Sequence, residues 1–358
     1  MRVVVAMSGG VDSSVAAALL AEAGHEVIGL SMQLYDQRAS TDAFGSCCSL
    51  DDLQDARRVA TAIGFPHYIL NLEREFQETV IRDFVDEYGA GRTPIPCVRC
   101  NADLKFSTLV TRAAGFGAAA VATGHYARAR YDEDERRYRL WRSADREKDQ
   151  TYFLFSLTQD QLAHAMFPVG HLSKPEVREA ARRLGLGVAE KPDSQEICFV
   201  PDGDAAGFVE RRLERRDRDG DIVDSGGRVL GRHQGIHRLT VGQRKGLGLA
   251  TGTPMYVLKL DPDDRRVTVG PREELGGRTL TANQVNWISG RAPERPMRLT
   301  ARIRHRHADA PALITATGAE AASVIFDEPQ IAITPGQAVV FYDGDEVIGG
   351  GWIERQCP

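Results

Sequence analysis

Ser8-Gly9-Gly10-Val11-Asp12-Ser13-Ser14 joins an apolar run, Val3 to Ala6, to a helical pattern, Val15 to Ala23, through bare glycine. Such a loop suits an anion. Gly9 and Gly10 let backbone N–H groups crowd inward without Cβ clashes, and the following helix aims its unpaired amides and positive dipole end at the same point. The G-x-x-x-x-G-K-[ST] phosphate loop is absent, and no lysine follows the turn to ride on β- and γ-phosphates. A second candidate is Val121-Ala122-Thr123-Gly124-His125-Tyr126, which ends a later strand pattern at the edge where open α/β sheets place ligands. There Gly124 could admit an adenine or ribose against the backbone; by itself a Gly-His pair after a strand is more often a plain turn.

Six cysteines supply the soft nucleophiles: Cys47, Cys48, Cys97, Cys100, Cys198 and Cys357. Cys100 lies just before a predicted helix, whose dipole would lower its pKa, and it closes a Cys97-x-x-Cys100 pair. Cys198 sits beside Phe199 and by itself reads as a buried apolar thiol. Cys47 and Cys48 precede a helix and suggest packing or incidental exposure, while Cys357 beside the end of the chain suggests nothing reactive. Arg291, Arg295, Arg298, Arg302, Arg304 and Arg306 crowd a stretch with one acid, Glu294. Alternation with Ala301, Ile303 and His305 would put Arg302, Arg304 and Arg306 on one face of a strand, able to track phosphates or simply to be solvated.

The elements that must position these groups change character along the chain. Strand patterns at Val3 to Ala6, Val27 to Gln33, Tyr68 to Leu72 and Ala119 to Thr123 alternate with helical patterns at Ser14 to Ala23, Asp51 to Ile63, Glu75 to Tyr88 and Ala102 to Ala114. That alternation predicts a doubly wound parallel sheet, its second helix opened by a capping box of Ser49 with Asp52. A charged hairpin around Tyr131 to Trp141 and helical patterns at Gln159 to Met166 and Lys174 to Leu184 follow, the last with Gly185 at its end. From Asp202 the texture turns Arg- and Gly-rich with short strands at Met255 to Leu260 and Arg266 to Val269; from about Leu280 short alternating strands predict a closed β-barrel. The expected division is residues 1–201, 202–277 and 278–358.

At 358 residues the chain is long for one core. Its 42% apolar and 27% charged content are those of a soluble globular protein, and no run approaches the ~18 apolar residues of a membrane span. Met1 leads straight into the first strand pattern, which reads as a cytosolic setting without a secretory leader, where cysteines serve as thiols or metal ligands rather than as a disulfide framework. A net charge of −5 argues against indiscriminate nucleic-acid binding but permits a local basic face.

The first loop resembles the PP-motif of ATP pyrophosphatases, S-G-G-x-D-S, which embraces the pyrophosphate leaving group while a nucleophile attacks the α-phosphate. The resemblance extends through Lys148-Asp149-Gln150-Thr151-Tyr152-Phe153-Leu154, Phe167-Pro168-Val169-Gly170, Lys174-Pro175-Glu176-Val177-Arg178, Asp193-Ser194-Gln195-Glu196-Ile197-Cys198-Phe199, Gly242-Gln243-Arg244-Lys245-Gly246-Leu247-Gly248 and Thr334-Pro335-Gly336-Gln337-Ala338. Together these are similar to the bacterial tRNA-specific 2-thiouridylases of the MnmA type over nearly the whole chain. That resemblance implies a PP-loop domain, a small central domain and a C-terminal β-barrel, and ATP-dependent exchange of oxygen for sulfur at C2 of the tRNA wobble uridine. It implies ATP and Mg²⁺ at Ala6, Met7, Ser8, Gly9, Gly10, Val11, Asp12, Ser13, Met32 and Gly124, with Asp12 more plausible as a metal or loop-ordering residue than as a base. Cys100 matches the nucleophile and Cys198 the persulfide carrier. His125, Lys148, Asp149, Gln150, Arg304, His305 and Gln337 match positions that touch RNA. Lysine, glutamate and glutamine tRNAs, and sulfur from a cysteine desulfurase directly or through a relay, are the implied partners.

The chain departs from the family segment T-P-N-P-D-x-x-C at Thr93-Pro94-Ile95-Pro96-Cys97-Val98-Arg99-Cys100, where cysteine replaces the aspartate. If Cys198 approaches Cys97 and Cys100 as the resemblance implies, the three could hold zinc, a redox disulfide pair or three corners of a [4Fe–4S] cluster; the cluster, whose open iron would carry the sulfide, leads the metal readings and ranks below the metal-free persulfide route. The competing readings are another PP-loop ligase, such as an amidotransferase synthetase domain, which needs no paired cysteines, and a non-catalytic RNA-binding protein, which leaves the phosphate loop unexplained.

Overall fold

The first apolar run becomes β1 (Arg2–Ala6), flanked by β2 (Glu26–Gln33), β3 (His67–Asn71) and β4 (Ala120–Ala122). A computed structural model describes residues 1–35, 50–193, 197–200, 202–213 and 219–357. Cys47, Cys48, the Ser49 cap and Ser194 to Glu196 lie outside those residues, as does the Cys357 side chain. β1 is buried on both faces: Val4 packs into one hydrophobic cluster, and Val3 and Val5 into another on the opposite side. α1 (Val11–Glu22) and α2 (Leu50–Ile63) cover the second face, and α1 starts earlier than the sequence suggests because the extended backbone of Gly10 serves as its N-cap.

Two strands follow, β5 (Ala127–Asp132) and β6 (Arg137–Arg142), and then β7 (Ala165–Met166). The sheet order is β3-β2-β1-β4-β7, all parallel. β7 falls inside a stretch expected to be helical: the capping box of Thr158 and Gln161 starts a helix that covers only Gln159–Ala163, and β4 then captures Ala165 and Met166. The helix Lys174–Arg183 opens on a second capping box, Ser173 with Glu176, and ends before Gly185 at φ +64°.

Beyond residue 202 lie β8 (Gly220–Asp224), β9 (Val229–His233), β10 (Tyr256–Asp261) and β11 (Arg266–Gly270), in the order β10-β11-β8-β9. β12 (Gly276–Trp287), β13 (Met297–Arg302), β14 (Ala310–Gly318), β15 (Ala321–Ile331), β16 (Ala338–Asp343) and β17 (Glu346–Cys357) form a barrel that β12 and β17 close by pairing. The charged hairpin β5–β6 departs from the first sheet and extends this barrel through β6 beside β17, with Glu346 accepting from Arg139 Nε at 2.8 Å. Sequence order therefore puts the hairpin with the first domain, whereas pairing puts it with the last. All three parts meet at Thr93: its N–H donates to the Pro335 carbonyl at 2.9 Å, its carbonyl accepts from Gln337 Nε2 at 2.9 Å, and its hydroxyl lies 3.5 Å from that of Thr240. No helix among the described residues is long and apolar enough to cross a membrane.

Candidate active site

The glycine loop sits at the carboxyl end of β1, and its shape is set by contacts from distant segments. Gly9 holds φ +74°, and a Cβ there would lie 2.2 Å from the Asp52 carbonyl oxygen in α2, so the position tolerates no side chain. Ser13 Oγ lies 3.2 Å from the Ser8 N–H and from the Gly10 carbonyl, and Ser14 Oγ donates to that carbonyl at 2.8 Å. Ala6, Met7, Val11 and Met32 are buried supports, which leaves Ser8, Gly10 and Asp12 to face outward. Gly124 is also close-packed, but against protein: its Cβ would lie 2.5 Å from the Ser13 nitrogen. That close packing on α1 is what requires glycine at this position.

Around the loop runs a chain of alternating charges. Lys174 Nζ donates to both carboxylate oxygens of Asp12, at 2.8 and 2.9 Å, and pairs with Asp193 at 2.7 Å. Tyr126 OH donates to Asp12 at 2.8 Å, and burial together with that carboxylate drives the phenol's pKa far upward. Asp193 also receives Lys148 at 2.8 Å and Arg178 at 3.5 Å. Burial alone would raise the Asp193 carboxyl, but the hydrogen bonds from Lys148 and Lys174 outweigh it and hold the group below its ordinary value. On the other side of the loop Lys191 Nζ donates to the Gly9 carbonyl at 3.1 Å and to Asp52 and Asp55 at 2.6 and 2.7 Å. Burial opposes its charge, yet the two carboxylates raise its pKa.

Cys100 and Cys198, half-buried, pack against the hydrophobic cluster that also takes Ala6 and Met32. Cys100 does not precede its helix. That helix begins at Pro96, so Cys100 lies a turn inside it, at the start of a π-helical stretch Cys100–Thr108, and the dipole acts first on Cys97. The turn is pinned on both flanks. Asn101 Nδ2 donates to the Phe153 carbonyl at 3.0 Å, while Arg99 pairs with Asp83 at 3.2 Å, donates to Gln284 Oε1 at 3.2 Å and lies 5.0 Å over the Trp352 ring. Cys97 is exposed, whereas Cys100 and Cys198 are half-buried. Among the described residues no three or more His, Cys, Asp or Glu side chains gather to hold a metal ion. The structure thus lends no support to a [4Fe–4S] cluster or a three-cysteine zinc site at Cys97, Cys100 and Cys198.

The candidate RNA residues are largely engaged. His125 Nδ1 lies 2.8 Å from Thr123 Oγ1 and burial drives its pKa well below the ordinary value. Asp149, 3% exposed, accepts from Thr151 Oγ1 at 2.9 and 3.0 Å and pairs with Arg302 at 3.8 Å. Gln150 Oε1 accepts from the Tyr126 N–H at 2.9 Å, and Gln337 holds Thr93. His305 packs on Phe153 at 4.6 Å between ring centroids, and Arg304 donates to the Ile331 carbonyl at 3.2 Å. The strand expected to align three arginines ends at Arg302, and residues 303–309 turn back toward β14. Arg302 is spent on Asp309 at 2.9 Å and Arg298 on Asp327 at 2.7 Å, whereas Arg306 is exposed and has no ion pair among the described residues.

Three family models match in succession: the tRNA methyl transferase HUP domain over residues 1–202, the tRNA methyl transferase PRC-barrel domain over 206–271, and the aminomethyltransferase beta-barrel domain over 277–353. The tRNA-specific 2-thiouridylase MnmA of Solibacter usitatus is 54% identical, covering 98% of this chain and 99% of that protein, and the MnmA of Geotalea uraniireducens is 55% identical, covering 99% and 95%. The chain belongs to the MnmA family of tRNA-specific 2-thiouridylases. Among solved structures the likeness is slight: a 4-thiouridine synthetase–RNA complex with bound ATP aligns at a TM-score of 0.36, with 16% identity over 59% of this chain and 50% of that one.

In this MnmA family member, sequence reasoning missed Lys174, Lys191, Tyr126 and Arg99. Lys174 lies in a motif that was recognised, but its contact with Asp12 spans 162 residues, and no local pattern encodes it. The alternation of charge partners around Asp193 emerges only when the loops fold together.

Proposed function

We propose that this protein replaces the C2 oxygen of the tRNA wobble uridine with sulfur, consuming ATP and releasing AMP and pyrophosphate. The observation that supports this reading best is the pairing of the S-G-G-x-D-S loop with two cysteines packed against the hydrophobic cluster that takes Ala6 and Met32, near the carboxyl ends of β1 and β2. A uridine C2 carbonyl is a poor electrophile without a leaving group. Attack of its O2 on the α-phosphorus of ATP makes an adenylated base and expels pyrophosphate; sulfur then attacks C2, and AMP departs with the original oxygen. The loop amides and the α1 dipole stabilise negative charge on the departing pyrophosphate. Asp12, the carboxylate on the loop, would hold a Mg²⁺ ion, which would supply further neutralisation of that charge.

Cys198 carries the sulfur as a persulfide and Cys100 is the second thiol: attack of the terminal sulfur on C2, followed by disulfide formation between the two cysteines, balances the electrons, and a dithiol reductant restores both. A cysteine desulfurase, directly or through a relay, supplies the persulfide; lysine, glutamate and glutamine tRNAs are the expected substrates. Incubation with Mg–ATP, unmodified transcripts, cysteine and a desulfurase should give AMP and a sulfur-for-oxygen mass gain at one wobble uridine. Thiolation without ATP, or ATP cleavage to ADP, would overturn the reading.

A further inference from the structure

The loop has no lysine of its own, yet an ammonium group is delivered to it from far along the chain. Lys174 is 9% exposed at the side chain and sits between Asp12, in the first turn of α1, and Asp193. Three N–H donors are all an ammonium has, and the two oxygens of Asp12 and one of Asp193 take them. Asp193 is held redundantly: Lys148 and Arg178 both reach it, so it stays paired when Lys174 leaves. Lys191, the other lysine near the loop, touches the Gly9 carbonyl on the α2 side and is tied to Asp52 and Asp55. Lys174 alone combines contact with an outward-facing loop residue and a partner that can release it.

We propose that Lys174 is the polyphosphate-binding lysine of this site, exchanging Asp193 for the β- and γ-phosphate oxygens of ATP and staying with them on pyrophosphate. This rests on the reading of the loop as a phosphate site. A phosphate oxygen offers an ammonium group a charge-assisted hydrogen bond like that of a carboxylate, and a polyphosphate carries more negative charge than the single carboxylate it replaces. The exchange needs no new cation and leaves no buried charge unpaired. AMP has no β-phosphate, so the contribution of Lys174 is specific to ATP and pyrophosphate.

Calorimetric titration of Mg–pyrophosphate, Mg–ATP and AMP into the wild type, Lys174→Met and Asp193→Asn tests this. Lys174→Met should weaken pyrophosphate and ATP by about tenfold or more, the scale of one charge-assisted bond, and leave AMP within about twofold. Asp193→Asn, which removes the competing carboxylate, should tighten pyrophosphate by about threefold. Unchanged pyrophosphate affinity in Lys174→Met, or an equal loss for AMP, would overturn the assignment by making the lysine irrelevant or purely structural. Should Lys174→Met fail to fold, weaker or unchanged pyrophosphate binding by Asp193→Asn would overturn it instead. A wild type that binds neither ATP nor pyrophosphate would bring down the phosphate-loop reading itself, and the lysine's role with it.

Discussion

The glycine loop and the arginine stretch 291–306 look alike as sequence, each a dense local run with an obvious chemical meaning, but they fold under different rules. Hydrogen bonds between residues within a few positions of each other make the loop's turn, and α2 presses on it at Gly9 closely enough to exclude a side chain. The arginines act through charge, and charge counts only where no carboxylate has already claimed it. Arg298 and Arg302 are claimed by Asp327 and Asp309, while Arg306 is left exposed. A local motif predicts the turn of a backbone well and the free charge of a face poorly, because the residues that neutralise a basic face come from elsewhere in the chain.

Substitutions that separate the two glycines break this comparison most sharply. Gly9→Ala puts a Cβ 2.2 Å from the Asp52 carbonyl at a positive φ, whereas at Gly10 the nearest atom is Ser8 Oγ at 3.5 Å. Gly9→Ala should lower ATP-dependent tRNA adenylation by about a hundredfold or more, and stability by about 2–4 kcal/mol. Gly10→Ala should leave the melting temperature unchanged. Equal melting temperatures for the two variants would mean that the loop is not shaped by α2.

Asp149 comes next. It falls in a stretch matched to RNA contact, but its carboxylate is buried under Arg302 and Thr151. Asp149→Ala removes the buried acceptor of the Thr151 hydroxyl and the Ser143 N–H, while Arg302 keeps Asp309, and should cost about 1–3 kcal/mol in urea unfolding. The slope of log tRNA affinity against log salt should be the same as wild type; a shallower slope would mean that Asp149 organises phosphate contacts after all.

The arginines themselves sharpen the comparison in the same titration. Neutralising Arg304 and Arg306 should reduce the slope by roughly 0.7 to 0.9 for each phosphate that the protein then leaves to its counterions, and Arg302→Ala should leave the slope alone while destabilising the fold. A slope change from Arg302 alone would reverse this assignment.

Legibility followed the same division. The parallel sheet, its four longer strands and the closed barrel could be read because periodicity and turn residues are local signals. The two-residue β7 could not, since a strand that short exists only because β4 pairs with it. The partnership of the β5–β6 hairpin with β17 was hidden for the same reason. Near the loop, the strand–glycine–helix turn could be read from local residues, while the charge chain from Asp12 through Lys174 to Asp193 could not. At Gly124 a close approach could be read from the sequence, whereas its packing on the α1 backbone, 2.5 Å from a Cβ position to the Ser13 nitrogen, could not.

The smallest expected effect is on pH. Burial lowers the pKa values of His125 and His305 from the ordinary 6.5, so each binds fewer protons folded than unfolded. Their contribution to stability is thus complete above that value and lost as pH falls below it. Urea midpoints should decline from pH 7.5 toward pH 5.5, and His125→Gln should flatten the decline. A midpoint that rises on acidification would contradict the burial of these rings.

The central claim is that phosphate chemistry and sulfur chemistry use separate residues on one core. Its most direct test is a paired assay of Cys198→Ser and Asp12→Ala with radiolabelled ATP, tRNA and a desulfurase, with sulfide excluded. Cys198→Ser should form adenylated tRNA and no thiouridine, whereas Asp12→Ala should accept persulfide sulfur and form no adenylate. Wild-type thiolation by Cys198→Ser, or adenylation lost in Cys198→Ser and kept in Asp12→Ala, would contradict the account.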